Sequence, residues 1–214
     1  MNRILAVLAL LAVSVLPPSA VGSAQPAAGG EMQIPTIPDA VAVALEPKST
    51  VVVVLDLLDV NCGPRPGCVA GLPAVARLLE RARAVNVPVV YSAIATSLNV
   101  LPEVAPLDDE PIIPGVADKF LNPDFDRALR ERAAETLVMV GTSANGAVLY
   151  TAFGANARGY TVVVAEDGIS ANTDFEVFLT RYQLLNQGGA ANPTNNPLVP
   201  ARVTLSRTDL ITFR

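Results

Sequence analysis

The stretch that decides the fold is residues 136–160, TLVMVGTSANGAVLYTAFGANARGY. It opens with the apolar run 137–140, bounded by Gly141. A parallel strand covered on both faces reads in this way. The tight turn 142–144 follows, and Asn145 stands where an N-cap is favoured. From Gly146 the pattern is helical, with Val148, Thr151, Ala152 and Ala155 at spacings of three and four. Gly159 suits a left-handed helix stop. The stretch therefore predicts strand, turn and helix. In an open α/β sheet, ligands sit beyond the carboxyl ends of the strands, where this turn lies.

Similar units recur on both sides. Residues 51–57, VVVVLDL, predict a central strand whose anomaly is Asp56, a carboxylate closing an apolar run. A buried carboxylate is costly unless paired, although an Asp here also reads as a cap on the following loop. Residues 71–86 predict an amphipathic helix with Leu72, Val75, Leu79 and Ala82 on its inner stripe. Strands are predicted over 87–91, 161–165 and 203–205, and helices from Pro123 and over 173–187. The last of these carries Phe175, Phe178, Leu179, Tyr182 and Leu185 as its apolar stripe. Residues 96–115 read as a loop with the solvated acidic cluster Asp108, Asp109 and Glu110. The Asn-, Gly- and Pro-rich segment 186–200 reads as an ordered lid or a mobile insertion. Strands alternating with helices predict an α/β fold: a three-layer α/β/α, Rossmann-like arrangement with a central, mostly parallel sheet flanked by helices.

Composition narrows the chemistry. At 214 residues the chain is long enough for one domain with a substantial core. A formal net charge of −5 argues against nucleic acid, which needs a basic footprint. There is no histidine, which excludes Ser–His–Asp and Cys–His triads and any His-ligated metal. Acid–base work would fall to carboxylates, Lys or Tyr. No cofactor and no metal site are called for.

The beginning of the chain reads as a secretory signal over residues 1–24. Arg3 precedes the apolar run 4–16, then Pro17 and Pro18, then small residues ending at Ala24. That run is too short to span a bilayer, so no membrane association is expected once the leader is cleaved. Residues 25–47 read as an N-terminal arm and 48–214 as the domain. A secreted or periplasmic location makes a disulfide the expected state of Cys62 and Cys68, in NCGPRPGC.

Three segments together resemble the isochorismatase-like family of cysteine hydrolases: VVVVLDLLD, GVADKF and VGTSANGAVLYTAFGANARGYTVVVAEDGIS. The resemblance covers roughly residues 50–212. It implies a catalytic set of an Asp, here Asp56, a Lys, here Lys119, and a Cys at the first turn of the helix. Matching Gly141 and the Val–Leu–Tyr–Thr run places that Cys at Ala147, and a methyl group cannot attack a carbonyl. The family's usual Gln two residues after the Asp is Leu58, and its metal ligands have no counterpart. By the same resemblance, the turn residues Ser143, Asn145, Gly146 and Ala147 would hold a substrate oxygen, and a homo-oligomer is compatible with it. Ser143 is the nearest hydroxyl, but GTSANG departs from the nucleophile elbow and has no histidine to activate it.

Two functions follow. One is hydrolysis of a small molecule through acid–base chemistry by Asp56 and Lys119, of the kind isochorismatases perform on a vinyl ether without the thiol. In it, Lys119 orients the Asp or binds an anionic substrate. The other is a catalytically inactive member that binds a small ligand or partner, with Asp56 and Lys119 as a structural ion pair. Geometry discriminates them: a pair converging on an open cavity favours the enzyme, and a closed dry pair favours the binder.

Overall fold

Four consecutive valines and a leucine at 51–55 can be buried at every position only if both faces of their strand are covered. The computed structural model, which describes residues 33–214, does this with alternate residues. From β2 (Thr50–Leu55), Val51, Val53 and Leu55 enter one core, and Val52 and Val54 enter the other. From β5 (Thr136–Thr142) and β6 (Thr161–Ser170), Leu137, Met139, Val162 and Val164 join the first, and Val138, Val140, Val163 and Ala165 the second. This is the period of two that a pleated strand imposes. Each fully buried valine contributes roughly 1.5–3 kcal/mol of transfer free energy.

The compact unit is Thr36–Arg214. Its main sheet is six-stranded and parallel, in the order β4-β3-β2-β5-β6-β7, with β3 at Val89–Ile94, β4 at Ile112–Gly115 and β7 at Val203–Ser206. Helix α1 (Pro66–Ala84) packs on one face, beside a small parallel pair formed by β1 (Val43–Leu45) and β8 (Ile211–Phe213). Helices α2 (Pro123–Glu131), α3 (Leu149–Ala157) and α4 (Asp174–Leu185) cover the other. The result is the three-layer α/β/α arrangement expected. Strand order reverses between β2 and β5, which makes their carboxyl ends the crevice of the fold.

Several boundaries differ from the sequence reading. Helix α1 begins at Pro66, not residue 71, because proline presets the first helical position. β4 was hidden in a Pro-rich loop; an edge strand accommodates Pro114. Glu110 in that loop is not freely solvated but accepts from both Arg83 Nε at 2.8 Å and Nη2 at 2.6 Å. The apolar stripe of α4 is also different: Thr180, Leu184 and Leu185 are buried, whereas Phe175 is 66% exposed. The last residues of the expected arm contribute β1, so the compact unit starts before residue 48. The expected leader, 1–24, and the arm up to residue 32 lie outside the described residues.

The segment 186–200 is an ordered strap along the edge of the sheet. Buried Asn195 donates through Nδ2 to Leu205 O and Asp39 O, both at 2.9 Å, and accepts from Leu205 N–H at 2.7 Å. Asn192 donates to Val203 O at 2.9 Å. These side chains meet backbone groups of β7 that an edge strand leaves open. Asn195→Ala strands the buried Leu205 N–H, while Leu205 O keeps the Val41 N–H at 3.1 Å, and we expect it to lower stability by roughly 1–3 kcal/mol in urea unfolding, with secondary structure retained.

Candidate functional site

The carboxyl ends of β2 and β5 are brought together by one glycine. Gly141 pairs in register with Leu55 and has φ +140, and a Cβ there would lie 2.0 Å from the Leu55 carbonyl oxygen. No other residue permits the approach. Asp56, next along β2, has φ 52, a left-handed conformation that Asp tolerates better than most residues. Its N–H donates to Ser92 O at 2.9 Å, which anchors the bend to β3.

Lys119 arrives from the segment after β4. A short 3-10 turn, Lys119–Leu121, is capped by Asp118, whose Oδ1 accepts from Phe120 N–H at 3.0 Å. The lysine side chain runs over Gly115, where a Cβ would stand 3.1 Å from its Cδ. Nζ donates to both Asp56 carboxylate oxygens at 2.8 Å. Lys119 is 0% exposed and Asp56 4%. Burial raises the Asp56 carboxyl above its ordinary value, against the opposing pull of Lys119 and the Ile94 N–H. It lowers the Lys119 ammonium, against the pull of Asp56. For both groups desolvation outweighs the partner, so the pair is closed and costly rather than a source of stability.

The expected turn takes an unexpected form. It is a π-helical turn, Ala144–Val148, running directly into α3, and the Thr142–Ser143 peptide is cis. Ser143, not Asn145, occupies the N-cap position, and Gly159 with φ +90 follows the helix end. Ala147 is buried in the same cluster as Leu55 and Phe120, the neighbours of Asp56 and Lys119 in the chain. Thr151, one helical turn on, shares its face. The Thr151 hydroxyl accepts from Lys119 N–H and donates to Ala117 O, both at 3.3 Å. Asp56 and Lys119 thus meet directly, and Thr151, on the same helix face as Ala147, meets the Lys119 backbone.

Ser143 and Asn145 lead elsewhere. The Ser143 hydroxyl donates to Asn145 Oδ1, and Asn145 Nδ2 donates to Glu176 Oε1 at 3.1 Å. Glu176 also closes the capping box of α4 by accepting from Thr173 N–H. The hydroxyl is therefore tied to a structural chain. Gly146 and Val148 N–H both donate to Ser143 O, at 3.1 and 3.3 Å, rather than pointing into a cavity.

Cys62 and Cys68 form the expected disulfide. Between them stands Arg65, which the sequence reading passed over. Its Nε donates to Asn172 Oδ1 at 2.8 Å and its Nη1 to Asn61 O at 2.7 Å and Thr142 Oγ1 at 3.3 Å. A lone arginine flanked by prolines between two cysteines was the available signal. The roomier surface clefts, such as one of about 550 Å³ beside Arg83 and Pro88, are lined by neither Asp56, Lys119 nor Ala147. Among the described residues there is no cluster of acidic or Cys side chains that could hold a metal ion.

The profile of the isochorismatase domain matches residues 50–190. The chain belongs to the isochorismatase family. A search of curated proteins finds no match. Among solved structures, the fold is similar to a cysteine hydrolase from Pseudomonas syringae, with TM-score 0.65 and 20% identity over 80% of this chain and 94% of that one. It is also similar to an isochorismatase family protein from Desulfovibrio vulgaris (TM-score 0.64, 19% identity, 76% of this chain and 95% of that one). N-carbamoylsarcosine amidase from Thermoplasma acidophilum shares the fold at TM-score 0.61 and 20% identity, over 75% of this chain and 97% of that one.

The closed pair has a measurable signature. Lys119→Met leaves a buried carboxyl without its cation, and losing one partner of a buried pair costs roughly 3–5 kcal/mol. The folded pKa of Asp56 then stands above the unfolded value of 3.8, raised by burial. A raised acid contributes stability that is complete below the unfolded pKa and is lost as pH rises through the folded one. Urea unfolding at about pH 4 and about pH 8 should therefore show the deficit of Lys119→Met widening toward the higher pH. Adding Asp56→Asn, which removes the charge and suits the left-handed backbone, should recover most of that deficit.

Proposed function

We propose that this chain is an exported, non-hydrolytic member of the isochorismatase family that binds a small molecule, with Asp56 and Lys119 retained as a structural ion pair. The observation that carries this reading is the seal around the pair. Lys119 has no exposed surface, and it is engaged with both carboxylate oxygens of Asp56. Alanine at the position where the family resemblance puts the thiol, and a chain without histidine, leave no nucleophile to activate there. Export is supported by the leader-like residues 1–24 and by a disulfide, which persists in oxidising compartments.

A second reading is acid–base hydrolysis without a covalent step. One observation favours it: burial raises the Asp56 carboxyl, as an acid delivering a proton to an enol carbon would need. Lys119 would then orient that acid. Such a reaction requires the pair to open.

The mature, disulfide-bonded protein incubated with a vinyl ether, isochorismate, and with an amide, nicotinamide, separates the two. The binding reading expects no product above the buffer rate from either, measured by chromatography. Turnover of the vinyl ether that falls by about 100-fold or more in Asp56→Asn would establish the second reading instead. Amide turnover would overturn both.

A further inference from the structure

Two cations lie near the carboxyl ends of the sheet, and they have opposite fates. Lys119 is consumed by Asp56 and reaches no ligand. Arg65 is half-buried, and all three of its hydrogen bonds go to neutral oxygens, on Asn172, Asn61 and Thr142. Among the described residues no carboxylate lies within 4 Å of its guanidinium, as is also true of Arg77, Arg81, Arg132, Arg158, Arg202 and Arg214, so what sets Arg65 apart is its place at the carboxyl ends of the sheet. Nη2, with two N–H donors, makes no hydrogen bond to the protein.

Just past Arg65 in the chain lies a small gap that Arg65 itself does not line. Helix α1 starts at Pro66 without a side-chain cap; Pro66 has no N–H, and the Cys68 and Val69 N–H groups both donate to Arg65 O, so the Gly67 N–H alone is left open at the positive end of the helix dipole. This first turn, through Gly67 and Cys68, borders the gap of about 10 Å³, shared with Leu57, the residue after Asp56, and with Ser170. Such a gap has room for one oxygen atom. Ser170 is 7% exposed, and its buried hydroxyl has no partner. Asp167 also borders the gap, but its oxygens are taken by the Thr208 N–H and hydroxyl, each at 2.7 Å. Thr142 joins the two features: its hydroxyl receives Arg65 and donates to Ser170 O at 3.1 Å.

We propose that Arg65 is the anchor of a carboxylate-binding site on the disulfide-pinned loop over β5 and β6, and that the ligand of this protein is a small organic carboxylate. The guanidinium fork matches a carboxylate in plane and charge. The Cys62–Cys68 bridge and three hydrogen bonds hold the fork before ligand arrives, which lowers the ordering cost of binding. This names the ligand class for the binding reading, and it holds equally if Asp56 proves to be an acid.

Isothermal titration of the disulfide-bonded protein with benzoate, benzamide and inorganic phosphate tests it. Benzoate and benzamide share a shape and differ in charge. Benzoate is expected to bind about tenfold or more tightly than benzamide, the worth of one charge-assisted hydrogen bond. Arg65→Gln should reduce benzoate to the benzamide level, and Arg65→Lys should restore part of the difference. Asn172→Ala, which loosens the fork but keeps its charge, should weaken benzoate several-fold. Equal binding of benzoate and benzamide by the unmodified protein, or no benzoate binding at millimolar concentration, overturns the proposal even if Arg65→Gln does not fold. Tighter binding of phosphate than of benzoate overturns the carboxylate assignment. Hydrolysis in the preceding assays bears on Asp56 and leaves this outcome separate.

Discussion

The Leu55 carbonyl and the backbone of Gly141 meet so closely that no side chain fits between them. Everything at the carboxyl ends of the sheet depends on this approach. It sets β5 against β2 at the point where strand order reverses, and so puts the turn 142–148 beside Asp56. Asp56 adds a left-handed bend, which takes the chain from the strand into the disulfide loop. From there one side of the sheet carries the buried Asp56–Lys119 pair, and α1 with Arg65 at its start packs on the other.

The two cations express different balances of the same forces. Lys119 is desolvated completely, and its attraction to Asp56 offsets only part of that cost. Arg65 stays partly in water, where a guanidinium needs no counter-charge, and neutral acceptors suffice to hold it. A charge locked into a buried pair is unavailable to a ligand, and a charge held open is available. In the proposed reading, recognition has passed from the sealed pair to the loop.

Much of the fold was legible in the chain. The runs 51–55, 137–140 and 161–165 are apolar at every position, which demands cover on both faces whatever the topology. Gly159 marked a left-handed position and has positive φ, whereas Gly141 read only as the end of the apolar run and its positive φ emerged with the fold. The exposed face of α4 was not legible, because Phe175 and Leu179 satisfy helical spacing equally well on either side of the helix. Nor was the role of the strap 186–200, since its asparagines look like loop residues until they meet the backbone of β7.

At the site, the residue types were legible and their relations were not. The sequence by itself determined that no histidine and no thiol outside Cys62 and Cys68 exist, which confines acid–base work to carboxylates, Lys or Tyr. It also determined the strand–turn–helix around Gly141, because local periodicity and turn chemistry act over a few residues. Only the tertiary structure decided that Lys119 lies buried on Asp56, 63 residues away, and that Arg65 faces 107 residues across to Asn172. Burial and pairing are properties of the space between segments. No spacing along the chain encodes how much water reaches a charge, and that quantity separates the closed pair from the open arginine.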